Sequence, residues 1–147
     1  AHRLKKLSEE EQNAIIDRVI EKPRRERQRR LLKMGYDAPD VIDAVATYEK
    51  TIVDMEAVLT GQDWLAGNEF SLADAAMAPY FQTLFQFGWE DWFRSRKSVN
   101  DWYERVTGRD SYQRGVAVDF SEEKIAELND KGRDAWIKIQ EYLKAGN

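Results

Sequence analysis

The sequence predicts an all-α protein, a helical bundle built around a buried central helix. Apolar side chains recur every three or four residues along most of the chain, the spacing of helices that bury one face. No window alternates apolar and polar residues over a length that predicts a strand. The segment from residue 72 to residue 87 is nearly all apolar, and a helix without a polar face is expected to be buried.

Length and composition restrict the class of protein. The chain has 147 residues, so we expect a single domain over residues 1–147. It has no cysteine and one histidine, His2. This composition excludes a disulfide framework, a thiol nucleophile and a histidine-rich metal site.

The chain also lacks the sequence signals of membrane insertion and secretion. No apolar run approaches the ~18 residues that a membrane-spanning helix needs. The N-terminal residues have no signal-peptide core. We therefore expect a cytoplasmic protein without a membrane partner.

Charge is unevenly distributed along a chain whose formal net charge is −4. Residues 22–33 carry seven basic side chains and one acidic one, whereas residues 37–91 carry eleven acidic residues and a single lysine. The basic run is compatible with a solvated helix face, a domain or subunit interface, or contacts to phosphates. It has no interleaved aromatic residues for base stacking, so nucleic acid is not expected as a partner.

The first two helices have recognisable ends. Ser8 and Glu11 form the pattern of a capping box at the start of the first helix. Pro23 either begins a second helix or kinks the first one, and Gly35 is a natural left-handed stop. The first helix carries an apolar stripe of Ile15, Ile16, Val19 and Ile20.

A longer helix and the central helix follow. An apolar stripe from Val41 to Leu59, with spacings of three and four, predicts a long helix. Ser71 and Asp74 then form a second capping box that begins the central helix, in which Pro79 implies a bend. The two side chains could also be read as a reactive Ser/Asp pair. Their spacing favours the structural capping role.

Two further helices complete the chain. Residues 99–106 predict a short helix that Gly108 closes, and Ser121 or a neighbour caps the last helix. Gly132 lies in the middle of that last helix, where glycine costs about 1 kcal/mol relative to alanine. We therefore expect another backbone to pack closely against it.

The order and spacing of several motifs show a family resemblance. The motifs are Trp64-Leu65-Ala66-Gly67, Phe70-Ser71-Leu72-Ala73-Asp74-Ala75-Ala76, Pro79-Tyr80, the upstream Glu56, and the tryptophan helix around Trp102. Together they resemble the C-terminal helical domain of cytosolic glutathione transferases, over roughly residues 35–115. In one departure, Arg109-Asp110-Ser111 stands where the family often has Arg-Pro-Ser.

The resemblance implies that this chain is half of a two-domain protein. In the family, an N-terminal thioredoxin-like domain holds glutathione and activates its thiol, and we expect that domain to be absent from residues 1–147. Glutathione would then be a co-substrate of the parent protein, with no catalytic or cofactor-binding residue in this chain. The helical half would contribute a wall of the pocket for a small hydrophobic electrophile and part of a homodimer interface.

Two sets of apolar residues are candidates for the acceptor pocket. One set comprises Ile16, Val19 and Ile20 on the first helix, and the other comprises Phe85 and Trp89 in an aromatic cluster with Phe87, Trp92 and Phe93. Both sets could instead belong to the core or to the surface where the missing domain docks. An alternative function is a non-catalytic interaction module, as in the similar helical domains appended to translation factors and synthetases.

Overall fold

The computed structural model describes residues 4–146, so His2 lies outside the described part. Regular secondary structure within residues 4–146 is entirely helical, which confirms the all-α prediction. None of the described helices combines the length and the apolar character needed to cross a bilayer. The α-helices are α1 (Glu9–Asp17), α2 (Lys22–Met34), α3 (Pro39–Leu59), α4 (Leu72–Gln86), α5 (Asp91–Arg94), α6 (Lys97–Thr107), α7 (Asp110–Gly115) and α8 (Glu122–Ala145). Short 3-10 turns occupy Leu4–Lys6, Gly35–Asp37 and Ala117–Asp119.

Local chemistry determines where the helices begin and end. Capping boxes open α1 at Ser8 and α4 at Ser71, and the Ser121 hydroxyl accepts a hydrogen bond at the start of α8. Pro23 lies in the first turn of α2, so a new helix begins there rather than a kinked continuation. Gly35 ends α2 with φ of 60°, as predicted.

The chain forms two compact units, with the division between Thr47 and Tyr48. In the first unit α1 packs against α2, and Ile16 is buried. The basic residues 22–33 lie on α2, which has no buried residue. Several of their charges are already paired, since Arg30 donates two 2.8 Å hydrogen bonds to Asp40 and Arg29 pairs with Asp17.

The second unit has an aromatic core in which α4 packs against α6 and α8. Phe81 of α4 lies edge-on to Trp102 at 5.1 Å between ring centroids and to Phe93 at 5.2 Å. Phe93 in turn lies 5.2 Å from Tyr103. These edge-to-face contacts add to the stabilisation from burying large side chains.

The central helix α4 is buried along one side, and its opposite side is exposed. The buried residues of α4 are Asp74, Ala78, Phe81, Gln82, Leu84 and Gln86. On the other side Leu72 is 87% exposed and Tyr80 is 54% exposed, with three exposed alanines between them. No residue within 4–146 covers this exposed side of α4, which we call its outer face.

Gly132 is the point where α8 meets the end of α4. A Cβ atom on Gly132 would lie 2.2 Å from the carbonyl oxygen of Phe87, which confirms the predicted close backbone approach. The Trp89 indole donates a 2.9 Å hydrogen bond to the Gly132 carbonyl, and the Asn129 side chain donates to the Gln86 carbonyl at 3.0 Å. The junction therefore depends on the absence of a side chain at residue 132.

We expect Gly132→Ala to lower the free energy of unfolding by about 1–3 kcal/mol, because the added methyl group must push two backbones apart. Urea denaturation measures this change. Gly115→Ala is the matched control, since its Cβ would meet nothing within 4 Å and alanine favours helix. Equal stability of Gly132→Ala and the unmodified chain would contradict the close packing.

Candidate functional site

Asp74 connects three parts of the second unit. It is fully buried, and its Oδ2 atom accepts hydrogen bonds from the Ser71 amide at 2.9 Å and the Ser71 hydroxyl at 2.7 Å. Its Oδ1 atom accepts from the Leu65 amide at 2.9 Å and from the Trp102 indole at 2.8 Å. The carboxylate thus joins the loop before α4, the first turn of α4, and α6.

These hydrogen bonds determine the charge state of Asp74. Burial alone would raise the pKa of the carboxyl group, but the donors from Leu65, Ser71 and Trp102 outweigh it and hold the pKa below its ordinary value. The anion is therefore favoured. Since both oxygens are engaged, Asp74 is a structural carboxylate rather than a base available to a substrate.

The loop between α3 and α4 is held by further polar and aromatic contacts. Gln62 donates to the carbonyl groups of Trp64 and Leu65 at 2.7 and 3.1 Å. The Trp64 ring lies edge-on to Phe70 at 5.3 Å, and the Arg105 guanidinium lies 5.6 Å from the Trp64 ring. The loop is thus an ordered support for the residues on either side of it.

Two glutamates on α3 anchor the start of α6. Glu56 accepts hydrogen bonds from the amides of Ser98 and Val99 at 3.2 and 2.9 Å, so α6 is capped from another helix. Glu49 accepts from Arg96 at 2.6 Å and from the Trp92 indole at 2.8 Å. Burial raises the pKa of both glutamates, but these bonds outweigh it and the net direction is downward.

A groove of about 440 Å³ opens beside the Asp74 network. Its walls come from α4, the end of α6, α7 and the segment that precedes α8. The lining is mainly apolar and includes three aromatic residues, Phe70, Tyr112 and Phe120. This volume lies within the range of about 300–1,000 Å³ typical of small-molecule sites.

The polar groups of the groove are few and defined. Gln82 accepts a 3.0 Å hydrogen bond from the Tyr103 hydroxyl and a second bond from the Tyr112 hydroxyl. Burial raises the pKa of both tyrosines, so both hydroxyl groups remain protonated donors. Arg109 supplies the charge, and its guanidinium carbon lies 3.8 Å from the centre of the Phe70 ring.

The groove does not contain the residues predicted for an acceptor pocket. In the first unit Ile16 is buried on α1, but α1 ends at Asp17, so the prediction that Val19 and Ile20 share this helix is wrong. Val19 is half-buried and Ile20 is 94% exposed in the connection to α2. In the second unit Phe85 is half-buried, and Trp89 stacks on Phe87 and hydrogen-bonds to α8. None of these five residues lines the groove.

Sequence reasoning missed the groove, although one signal pointed to it. Phe70 precedes the α4 cap, and a large apolar residue at position 75 would normally pack against it. The chain has Ala75 there, and both residues line the groove. A small residue at a position that usually carries a large one thus indicated empty space.

The described residues supply the groove with apolar surface, hydrogen-bonding side chains and one arginine. Among residues 4–146, no cluster of three or more His, Asp or Glu side chains is arranged to hold a metal ion. Asp74, Glu49 and Glu56 each have hydrogen-bond partners from the protein. The groove can bind an apolar molecule and present one cation to it.

Comparison with known proteins identifies relatives over most of these elements. The profile of the family described as "Glutathione S-transferase, C-terminal domain" matches residues 21–110. The glutathione S-transferase hmp2 of Hypomyces subiculosus is 29% identical over 56% of this chain and 41% of its own length. The FtsZ-localized protein A of Caulobacter vibrioides is 32% identical over 58% of this chain and 38% of its own. The glutathione S-transferase TCHQD of Arabidopsis thaliana is 28% identical over 73% of this chain and 44% of its own.

The matched segments thus span less than half the length of these curated relatives. No solved structure gives a significant match to the chain.

We expect Asp74→Asn to lower the free energy of unfolding by about 1–3 kcal/mol near pH 7, because an amide group must face donors that a carboxylate accepts. The native pKa is lowered, so this stabilisation is complete above the unfolded pKa of about 3.9 and is lost as pH falls through the native pKa. Urea denaturation from pH 2.5 to pH 7 should show the difference shrinking below about pH 4.

Asp134→Asn is the matched control, because Asp134 is exposed on α8. It should leave stability nearly unchanged at every pH. The role of the Asp74 charge would be contradicted if the free energies of unfolding of Asp74→Asn and the unmodified chain differed by the same amount at every pH.

Proposed function

Because this chain belongs to the family of glutathione S-transferase C-terminal domains, we propose that it is the helical half of a longer glutathione transferase-like protein. The family match carries this proposal. In the parent protein, a thioredoxin-like N-terminal domain holds glutathione and lowers the pKa of its thiol. The thiolate then attacks an electrophilic carbon, and the leaving group departs. The helical chain by itself binds no cofactor and contains no catalytic residue.

The outer face of α4 is the proposed docking surface for the N-terminal domain. Leu72 and Tyr80 are more than half exposed, and the residues between them on this face are small and apolar. Exposed apolar surface of this kind is typical of a face that another domain covers. The short matched share of the curated relatives also supports a parent that is longer than this chain.

The predicted acceptor residues remain candidates for the pocket wall. Ile20 is almost fully exposed at the end of the stripe that includes Ile16 and Val19, so it is available to an apolar ligand or to the missing domain. Phe85 and Trp89 are half-buried and form a separate candidate set. The proposed acceptor is a small hydrophobic electrophile.

The proposed setting follows from the same family membership. The parent is a cytoplasmic homodimer, and its partners do not include nucleic acid or a membrane. The basic residues of α2 are partly neutralised by Asp17 and Asp40, which weakens their attraction for polyanions.

A second candidate function is a non-catalytic interaction module. One relative is named for its localization with FtsZ rather than for an enzymatic activity. In this alternative the chain uses the same fold to bind a macromolecular partner, and glutathione has no role.

We expect the purified chain to add nothing to the spontaneous rate at which glutathione reacts with a chromogenic aryl halide. The parent protein, with its upstream domain, should accelerate the same reaction. Absorbance measures both rates. If the chain alone accelerated the reaction, this would contradict the proposal that the group activating the glutathione thiol lies outside these residues. An inactive parent that forms a stable complex with a macromolecule in size-exclusion chromatography would favour the interaction module.

We expect Leu72→Asp to leave the melting temperature of the chain nearly unchanged, since Leu72 is 87% exposed. In the parent, the same substitution should weaken docking of the N-terminal domain and expose its linker to limited proteolysis. Val118→Asp is the matched control, because Val118 is 73% exposed outside α4. Equal proteolysis of the two variants would contradict docking on α4.

A further inference from the structure

We propose that the groove beside α4 and α7 is a binding site for a small aromatic carboxylate, recognised by Arg109. This ligand is separate from glutathione and from the electrophile of the proposed function. The proposal depends on three features of the second unit: the shape of the groove, its aromatic lining and the unpaired charge of Arg109.

The groove has room for a ligand because small residues line one of its walls. Ala75 and Ala78 of α4 line the groove together with Pro79. Proline has no backbone N–H, so the Ala75 carbonyl loses its usual partner in the helix at this point. The wall is therefore low and apolar, with a helix backbone close to the groove.

Other lining residues supply aromatic surface. These residues are Phe70, Tyr112 and Phe120. A flat aromatic ligand would pack against such rings through dispersion and edge contacts. The Tyr112 hydroxyl is already directed to Gln82, which leaves the ring rather than the hydroxyl as the main contact surface.

Arg109 determines the charge of the ligand. It lines the groove, where its guanidinium group stacks on Phe70 at 3.8 Å and lies 5.7 Å from the Trp64 ring. Its Nε atom is buried and donates to no residue of the described chain. Among residues 4–146 no carboxylate forms an ion pair with Arg109, although many other arginines on this chain have one.

An arginine that is stacked, partly buried and unpaired is ready to receive an anion. The ring contact restrains the guanidinium plane, so less side-chain freedom is lost when a carboxylate binds. A carboxylate matches the spacing of two guanidinium donors, and the pair gains strength where water is partly excluded. The Gln82 side-chain nitrogen, which donates to no described residue, is a further donor on the same lining.

The test uses 2-naphthoate and its neutral counterpart 2-naphthamide as probes, in isothermal titration calorimetry without glutathione. We expect the unmodified chain to bind one molecule of 2-naphthoate. We expect it to bind 2-naphthamide with an affinity at least about tenfold lower, which is the loss typical of a charge-assisted hydrogen bond. Equal affinity for the two probes, or no saturable binding of 2-naphthoate at about 1 mM, would overturn the proposal.

Variants assign the site to the groove. Arg109→Gln should lower the affinity for 2-naphthoate by about tenfold and leave the affinity for 2-naphthamide unchanged. Arg114→Gln is the matched control, because Arg114 is exposed on α7 and does not line the groove. An equal effect of the two substitutions would overturn the assignment to Arg109.

A second pair of variants keeps the test valid if Arg109→Gln unfolds. Ala75→Trp should fill the groove and abolish binding of both probes, since Ala75 lines it and is exposed. Ala76→Trp is the matched control, as Ala76 is exposed on the same helix outside the groove. Unchanged binding in Ala75→Trp, or equal loss in Ala76→Trp, would overturn the location. Because glutathione is absent, these results do not depend on whether the parent conjugates it.

Discussion

The second unit depends on a single buried charge. Asp74 is fully enclosed, and a buried carboxylate is tolerated only when its oxygen atoms are satisfied by donors. The chain provides those donors from Leu65, Ser71 and Trp102, which belong to a loop, a helix start and another helix. Burying the anion therefore requires all three elements to be in place together. This is how one aspartate couples local helix capping to the packing of the core.

The consequence for function is that α4 has one face committed to the core and another available for contacts. The inner face packs through Phe81 and Leu84, and the outer face carries Leu72 and Tyr80 in the open. The groove lies where these faces meet the end of α6 and α7. A rigid inner face gives the exposed residues and Arg109 defined positions, which a docking partner or a ligand requires.

Features set by neighbouring residues were predictable, whereas those set by distant contacts were not. The capping boxes at Ser8 and Ser71 and the stop at Gly35 follow from residue types a few positions apart. The close backbone packing at Gly132 was predictable for a different reason. Glycine lowers the stability of a helix, so its presence there implied a compensating contact with another backbone. The capping of α6 by Glu56 joins residues about forty positions apart, and no local pattern reports it. The open outer face was missed because apolar composition does not distinguish a core from a docking surface, and the groove because it is formed by several elements.

The most direct test of the central role of Asp74 is its titration, followed by NMR of the side-chain carboxyl carbon. We expect the Asp74 carboxyl group to titrate below the ordinary value for aspartate, and the signals of the Leu65 amide and the Trp102 indole to shift in the same pH range. A carboxyl group that titrates at or above the ordinary value, with no response from those two donors, would contradict the account.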